Sequence, residues 1–332
     1  MILLSIGLTM TLMLAKQNSF SEIRKKKFPR FAYNILTESC LSDYWLSNET
    51  LGDESACDCR VYVNSYSEPC STNNTPPHVK YIHQKSTWTE ARNLLYSAAK
   101  SEENSDVVEN RFMYHIFMDD DAVISYTADY LTALTAFNNT KPTERHPFRE
   151  FEEFLETKQP AIAVPAYDGP SQNNPDEVKR IYKKKCGSTP RENPWMYNYH
   201  NNDAMFIAYH KCAVKHIFPM ETKWDSYSWW ISALLRQYKT TVLFRDSTVV
   251  DIRVITRNTH HRSYPRGQFP PDVITNSTEY FNGTFLGRDH LIPPQYRVFN
   301  NLGDRYRFLV QDNDIICGKE IHWGPVFKHD YC

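Results

Sequence analysis

Short apolar runs of the kind that form strands recur along the middle of the chain, separated by polar segments. The alternating residues 60–66 predict a first strand, and residues 79–83 predict a short second one. Residues 112–118 form an apolar and aromatic run that is too short for a helix core, so this run predicts a buried strand. Further strands are predicted at residues 161–166, 203–209 and 241–244.

Longer segments with apolar residues on one face predict helices between these strands. The clearest helix begins near residue 87, where Ser86 or Thr87 can cap it and Glu90 follows Thr87 at the spacing of a capping box. Other helices are predicted at residues 128–137, 148–156 and 224–238. Strands that alternate with helices predict an α/β fold with a mixed, mostly parallel sheet flanked by helices.

Composition divides the chain into four segments. Residues 1–15 are mostly apolar, residues 16–56 are polar and poorly periodic and are interpreted as a stem or N-terminal cap, and residues 57–262 contain the alternating strands and helices. Residues 263–332 are rich in Pro, Asn and Gly, which predicts a loop-rich C-terminal extension packing on the α/β domain. Residues 183–194, rich in Lys, Cys and Pro, predict a further loop.

The apolar N-terminal segment predicts entry into the secretory pathway. Residues 1–15 are short for a membrane span, which needs about 20 residues, and their length is that of the apolar region of a signal peptide. A short signal anchor and a buried N-terminal helix remain alternatives. The protein is therefore expected in the Golgi lumen as a type II membrane protein, or secreted, with no membrane contact beyond this possible anchor.

Glycosylation motifs and cysteines favour the same compartment. An even number of cysteines, eight in all, suits disulfides in an oxidising lumen. Cys57 and Cys59 are too close for the usual zinc spacing, whereas Cys317 and Cys332 are a plausible local clasp. Five Asn-x-Ser/Thr sites, which accept glycans only in the lumen, occur at Asn48, Asn73, Asn138, Asn276 and Asn282.

Composition and charge exclude some function classes. With 41% hydrophobic and 14% aromatic residues, the chain can fill a core, which argues against a mainly disordered protein. The formal net charge of -1 provides no strong field toward nucleic acid or anionic lipid, so no nucleic-acid partner is expected.

Three adjacent aspartates, Asp119, Asp120 and Asp121, end the predicted buried strand at residues 112–118. In α/β sheets, ligands bind at the carboxyl ends of strands. Because like charges this close disfavour ionisation, a hard divalent cation such as Mn²⁺ or Mg²⁺ would stabilise the cluster. In extended chain Asp119 and Asp121 point the same way. An acidic loop that caps the next helix is the alternative.

The order of these features resembles the nucleotide-binding half of GT-A glycosyltransferases. Residues 89–93, Thr-Glu-Ala-Arg-Asn, lie on a helix that is followed by an apolar strand and then by an Asp-x-Asp motif. The resemblance covers residues 60–262, and it identifies residues 57–262 as a catalytic domain. It implies transfer of a sugar from a UDP- or GDP-sugar donor to a glycan, glycoprotein or glycolipid acceptor.

The resemblance also implies a metal site. Asp121 would bind a Mn²⁺ or Mg²⁺ ion that bridges the diphosphate of the donor, with Asp119 as a further ligand or a contact to the ribose or sugar, and Asp120 beside the donor. GT-A enzymes often take another ligand from a late histidine, a role that fits His260 or His261. Two surface histidines are the alternative.

Four residues would contact the donor on the same grounds. Arg92 could pair with a phosphate or with the acidic motif, and Asn93 could hydrogen-bond the donor; a surface cation is the alternative for Arg92. Ser65 and Tyr66, at the end of the first predicted strand, occupy the place where the nucleoside base of the family usually lies.

A reaction that inverts the anomeric centre needs a base to take the proton of the acceptor hydroxyl. Asp225, at or before the predicted helix at 224–238, resembles the acid on the acceptor side of many inverting enzymes, and Asp203 is the second candidate. A helix N-cap is the alternative for Asp225. Inversion is favoured over retention. Nearby aromatic residues could stack on a sugar or fill the core: Trp224, Tyr227, Trp229 and Trp230.

Other functions are also compatible with the sequence. A lumenal or secreted binding module could keep the fold without the chemistry. Another metal-dependent phosphate-ester enzyme could use the same carboxylates, although two-metal hydrolases usually need further Asp and His sets. A structural calcium site would need more oxygen ligands than three aspartates offer.

Overall fold

The computed structural model describes most of the predicted α/β domain, and several sequence predictions lie outside the described residues. These are the N-terminal segment at 1–15, the extension at 263–332 with the Cys317–Cys332 clasp, the aromatic residues Trp224 and Tyr227, the motifs at Asn73, Asn276 and Asn282, and Asp203, His260 and His261. The described residues are 28–71, 75–103, 111–138, 145–168, 174–187, 194–198, 205–223, 225, 229–244 and 247–259.

One mixed sheet organises the described residues. Its order is β3-β2-β1-β4-β8-β6-β9-β5, and β7 pairs with β9. The pairings give β1, β2, β3, β4, β6 and β9 one direction and β5, β7 and β8 the other. The predicted mixed, mostly parallel sheet flanked by helices is therefore confirmed. The strands are β1 (Phe31–Thr37), β2 (Cys59–Ser65), β3 (Val79–Ile82), β4 (Tyr114–Asp119), β5 (Ala122–Tyr126), β6 (Ile162–Tyr167), β7 (Met196–Asn198), β8 (Phe206–His210) and β9 (Thr248–Asn258).

Helices flank this sheet and cover its apolar faces. Tyr33 and Ile35 of β1 pack in the layer that contains the fourth helix, whereas Ala32 and Leu36 pack with the second helix, because successive strand residues face opposite sides. No helix in the described ranges is long and apolar enough to cross a membrane. The helices are α1 (Glu54–Cys57), α2 (Trp88–Glu102), α3 (Ala128–Asn138), α4 (Pro147–Lys158), α5 (Pro175–Cys186), α6 (Lys211–Ile217) and α7 (Trp229–Phe244).

The N-terminus of α2 has the capping box that the sequence predicts. The side chain of Thr87 accepts a hydrogen bond from the backbone N–H of Glu90, and the Glu90 side chain accepts one from the backbone N–H of Thr87. Two backbone donors at the helix start are thereby satisfied. This local motif fixes where α2 begins, and α2 carries three side chains of the candidate site.

β1 corrects the predicted domain boundary. Phe31–Thr37, within the segment interpreted as a stem or cap at 16–56, lies between β2 and β4 and is parallel to both. All seven residues are buried, so the segment lacks the alternation of a half-exposed strand. Asn34 interrupts its apolar run, although this amide is hydrogen-bonded to the carbonyls of Ala32 and Ile116. The α/β domain therefore includes residues well before the predicted start at 57.

Two other predicted elements are wrong. Residues 241–244, predicted as a strand, form the last turn of α7, since a four-residue apolar run cannot by itself distinguish a strand from the end of a helix. Residues 183–186, predicted as loop, complete α5, which ends at Gly187 in a left-handed conformation. The lysines there lie on a helix rather than in a loop.

Disulfides, predicted from the even cysteine count, are present. One joins Cys40 to Cys70, and another joins Cys57 to Cys59. Cys186 and Cys212 are also disulfide-bonded, and no cysteine in the described part of the chain is free.

A buried acid lies beneath β1 on α4. The hydroxyl of Tyr33 and the guanidinium of Arg149 each donate a hydrogen bond to the carboxylate of Glu152. Burial raises the pKa of Glu152 to about 7, although the charge of Arg149 and the hydrogen bond from Tyr33 act in the opposite direction. The group therefore takes up its proton near neutral pH.

This acid makes folding stability depend on pH. Its pKa in the folded protein lies above its ordinary value of 4.5, so the folded state binds the proton more tightly and is favoured at low pH. We expect the free energy of unfolding to fall by about 3 kcal/mol through this group as pH rises from 4.5 to above 7. Urea denaturation of the wild type and Glu152→Gln across this range measures the difference. If the unfolding free energies of the two proteins changed with pH by the same amount, this expectation would be contradicted.

Candidate functional site

The candidate site lies where the parallel strands end. Thr37 at the end of β1 is in register with Ser65 at the end of β2, and Leu36 is in register with Asp119 at the end of β4. Because the three strands run in parallel, their carboxyl ends meet at one edge of the sheet, where ligands bind in α/β folds. The predicted acidic motif is thus at a ligand-binding edge.

Asp119 is held by a buried arginine. Arg92, in the second turn of α2, has only 2% of its side chain exposed and donates a hydrogen bond of 2.9 Å to Oδ1 of Asp119. The guanidinium lies 4.1 Å from the ring centre of Trp88 and 5.8 Å from that of Phe117. Burial lowers the pKa of Arg92, and the charge of Asp119 opposes this shift. Of the two partners that the sequence left open for Arg92, the structure shows the acidic motif.

Arg92→Ala should destabilise the protein, because it leaves a partly buried carboxylate without its cation. We expect a loss of about 3 kcal/mol, the low end for breaking a buried pair, since Asp119 is 27% exposed. The matched control is Arg180→Ala on α5, where the pair with Glu177 is exposed and screened by solvent, so its loss should change stability far less. Guanidinium denaturation measures the stability of both variants. Equal losses of stability would refute the role of Arg92 as the cation that neutralises Asp119.

Asp120 faces β1 and the loop that follows it. Oγ1 of Thr37 donates a hydrogen bond of 2.9 Å to Oδ2 of Asp120, and the backbone N–H of Asp120 donates to the carbonyl of Leu36. The indole of Trp45, buried in the loop after β1, donates a bond of 2.8 Å to the backbone carbonyl of Asp120. The middle aspartate therefore fixes the turn against the neighbouring strand.

Asp121 lies beside the end of β9. Its backbone carbonyl accepts hydrogen bonds from the backbone N–H of Thr259, at 2.8 Å, and from the Thr259 hydroxyl, at 3.1 Å. Thr259 directly precedes His260 in the chain. His260 and His261 are outside the described residues, but the segment that leads into them is held against the last aspartate. Asp121 is only partly buried.

Ser65 and Tyr66 lie at the same edge with different exposure. Ser65 is buried, and its hydroxyl donates to the carbonyl of Ile82, while the His83 ring is hydrogen-bonded to the Ser65 carbonyl at 2.6 Å. Tyr66 is partly exposed, and its hydroxyl donates to Glu38 at 3.4 Å. Of the two residues predicted to contact the base, Tyr66 has the more accessible side chain.

Three contributors to this edge escaped prediction. Thr37 and Trp45 fall in the segment that was interpreted as a stem, and the Cys40–Cys70 disulfide ties the loop after β1 to the loop after β2. The signal in the sequence was a tryptophan, Trp45, in a mostly polar segment. Its meaning depended on recognising β1 as a strand.

Asn93 contacts a loop of the protein. Its side-chain N–H donates to the carbonyl of Met220 at 2.8 Å, and its side-chain oxygen accepts from the backbone N–H of Met220 at 2.7 Å. This reciprocal pair attaches the segment between α6 and α7 to α2. The structure thus shows a contact of Asn93 within the protein, and its predicted contact with the donor stays a prediction.

Asp225 joins α2 to α7. Its Oδ1 accepts hydrogen bonds of 2.7 Å from the hydroxyls of Thr89 and Ser232, and its Oδ2 accepts one from the hydroxyl of Thr87. α7 is described from Trp229, and residues 226–228, which precede it, lie outside the described residues, so the N-cap alternative for Asp225 remains a prediction. Thr89 lies one turn before Arg92, so a single turn of α2 links the carboxylate of Asp225 to that of Asp119.

The three aspartates of the turn do not make a complete metal site by themselves. Within the described residues, the group of three potential ligands whose ligand atoms lie within 4.8 Å is Cys57, Cys59 and His78, and its two sulfurs are joined in a disulfide. Asp119 and Asp120 have the partners described above, and the backbone of Asp121 is bound to Thr259. A hard cation at this edge would therefore need ligands in addition to these three aspartates.

Comparison with known proteins finds weak structural similarity to two solved structures. No family model and no curated protein matches this sequence. Among solved structures, S. aureus TarS 1–349 in complex with UDP is 8% identical, with a TM-score of 0.37 over 85% of this chain and 81% of that chain. The galactosyltransferase LgtC in complex with donor and acceptor sugar analogues is 11% identical, with a TM-score of 0.27 over 80% of this chain and 99% of that chain. At these TM-scores neither likeness carries a conclusion about the function of this chain.

Proposed function

We propose that the protein is a metal-dependent glycosyltransferase that transfers a sugar from a nucleotide-sugar to a glycan, glycoprotein or glycolipid. The observation that carries the proposal is the aspartate turn at the carboxyl edge of the parallel strands. Asp119 is bound to Arg92, Asp120 to Thr37, and Asp121 to the strand that leads to His260. Three aspartates at a ligand-binding edge, two held through their carboxylates and the third through its backbone carbonyl, suit recognition of a metal-bound diphosphate.

In this proposal Asp121 and one of His260 and His261 hold the cation, Mn²⁺ or Mg²⁺. Carboxylate oxygen with a neutral imidazole is a ligand set that these ions accept. The ion would neutralise the charge of the departing nucleoside diphosphate. Asp119, which Arg92 holds in place, would be a further metal ligand or would contact a hydroxyl of the donor.

The nucleoside of a UDP- or GDP-sugar would lie over the ends of β1 and β2. Tyr66 is the partly exposed aromatic side chain at that edge, and the Cys40–Cys70 disulfide restrains the loops on either side. An aromatic ring on a restrained loop can stack on a base with little loss of conformational entropy. Ser65, which is buried, would shape this subsite from below.

Asp225 is the proposed base of an inverting transfer, with Asp203 as the alternative. Three hydroxyl groups orient the Asp225 carboxylate at the N-terminus of α2, one helical turn from the residue that holds Asp119. A base in that position would accept the proton of the acceptor hydroxyl as it attacks the sugar.

The disulfides and the Asn-x-Ser/Thr motifs support a place in the secretory pathway, in the Golgi lumen or outside the cell. Disulfides persist in oxidising compartments and are rare in the cytosol. Asn48 is exposed in the loop after β1, as a glycan acceptor must be.

A nucleotide-sugar panel tests the proposal. Purified protein is titrated with UDP-glucose, UDP-galactose, UDP-N-acetylglucosamine and GDP-mannose, each with Mn²⁺ and with EDTA. We expect one donor to bind with Mn²⁺ at least about 100-fold more tightly than with EDTA, and to be slowly hydrolysed. Equal binding in both conditions would refute the metal role. Metal-dependent binding without turnover on any acceptor would favour the binding module instead.

A further inference from the structure

A cavity of about 360 Å³ lies beside the candidate site, between α2, α7 and the segment that joins α6 to α7. Ile217, Met220 and Leu235 contribute apolar surface, and Thr222 and Ser232 contribute hydroxyl groups. A volume of this size suits a small ligand, and mixed apolar and hydroxyl surface suits a sugar ring.

The cavity wall carries more positive than negative charge. Arg236 and Lys239 line it from α7, where their spacing of three residues places them on the same helix face, and Glu221 is the acid among the lining residues. One carboxylate oxygen of Glu221 accepts a hydrogen bond from the backbone N–H of Lys223. Lining charges of this composition favour a ligand that carries a negative group.

Arg236 is the more buried of the two cations in this wall. It is 4% exposed and donates a hydrogen bond of 3.0 Å to the hydroxyl of Tyr209. Because solvent screens a buried charge little, an anion in the cavity would be attracted to Arg236.

The cavity adjoins the carboxylate proposed as the base. Ser232 lines the cavity and also donates a hydrogen bond of 2.7 Å to Asp225. Asn93 lines it from α2, next to the arginine that holds Asp119. A ligand seated in the cavity would thus lie on the Asp225 side of α2, where an acceptor would be placed.

We propose that this cavity is a subsite for an acidic saccharide, in which a carboxylate or sulfate ester of the ligand pairs with Arg236 and Lys239. That the ligand is the acceptor of transfer rests on the proposed function, whereas the binding itself does not. The charged groups select the acidic substituent, and the apolar and hydroxyl surface contacts the ring.

Calorimetric titration with glucuronate, glucose 6-sulfate and neutral glucose tests the subsite. We expect both acidic sugars to bind at least about tenfold more tightly than glucose, because charge-assisted hydrogen bonds are the stronger kind. Lys239→Gln, on a partly exposed side chain, should weaken the acidic ligands about tenfold. The matched control, Lys215→Gln on the exposed side of α6, should leave them unchanged. Equal melting temperatures verify that both variants fold.

Three outcomes would overturn the subsite: equal affinity for glucuronate and glucose, equal affinity of the Lys239→Gln and Lys215→Gln variants, or loss of glucuronate binding on Asp121→Ala. The last result would mean that the acid binds at the aspartates rather than in the cavity. If acidic sugars bind through Lys239 while no nucleotide-sugar binds, the subsite stands and the transferase proposal fails.

Discussion

Replacing Asp121 with alanine should weaken Mn²⁺-dependent binding of the donor by about 100-fold or more and remove transfer. The residue is the aspartate whose surroundings lead to the expected histidine ligand, since its carbonyl is hydrogen-bonded to Thr259. Without its carboxylate, the cation would lose a charged ligand, and the donor diphosphate would lose the charge that offsets its own. Titration of the variant with the preferred donor, in Mn²⁺ and in EDTA, measures the loss.

The control for this substitution is Asp43→Ala. Asp43 is an exposed aspartate in the loop after β1, so the change removes the same charge from the same side of the domain. Donor affinity should stay within about twofold, since exposed charges are screened. If the two variants bound the donor equally well in Mn²⁺, Asp121 would not be a metal ligand. If both lost binding equally, the effect would be one of net charge.

Asp225→Asn should lower the rate of transfer by about 10²- to 10⁴-fold, the range for loss of a general base. The amide keeps the shape of the carboxylate but cannot take a proton from the acceptor. Donor affinity should change little, because Asp225 contacts Thr87, Thr89 and Ser232 rather than the aspartate turn. Steady-state kinetics with separate donor titration distinguishes the two quantities, and Asp225→Glu should restore part of the rate.

If Asp225 only positions neighbouring groups and takes no proton, a second variant gives a different result. Thr89→Ala removes one of the hydroxyl donors while keeping the carboxylate, and Thr89 does not line the cavity, so this variant tests the support of the Asp225 side chain. We expect a cost to stability of about 1 kcal/mol and a small effect on the rate. A rate loss in Thr89→Ala as large as that in Asp225→Asn would show that the carboxylate acts only through position.

Local signals in the sequence were sufficient for many elements of the fold. The capping box at Thr87 and Glu90 fixed the start of α2, and the apolar run before Asp119 identified β4, because both depend on neighbours within a few residues. The Asp-x-Asp position at the end of β4 followed from the same run. These interactions are short-range, so they can be read without knowledge of the rest of the chain.

Long-range pairing decided the contacts within the site. Thr37 and Asp120 are 83 residues apart, and Thr89 and Asp225 are 136 apart, so neither hydrogen bond has a local signature. The contact between Asn93 and Met220 was not predicted, because it depends on the segment after α6 folding back on α2. Such partners depend on which strands and helices become neighbours.

The sequence by itself determined an α/β domain with an acidic turn at the end of a buried strand, since apolar periodicity and helix caps act over a few residues. Only the tertiary structure decided that β1 lies inside the sheet, between β2 and β4, and that each aspartate of the turn has a different partner. Both features depend on packing between segments that are distant in the chain, where burial and hydrogen bonding compete across many possible arrangements.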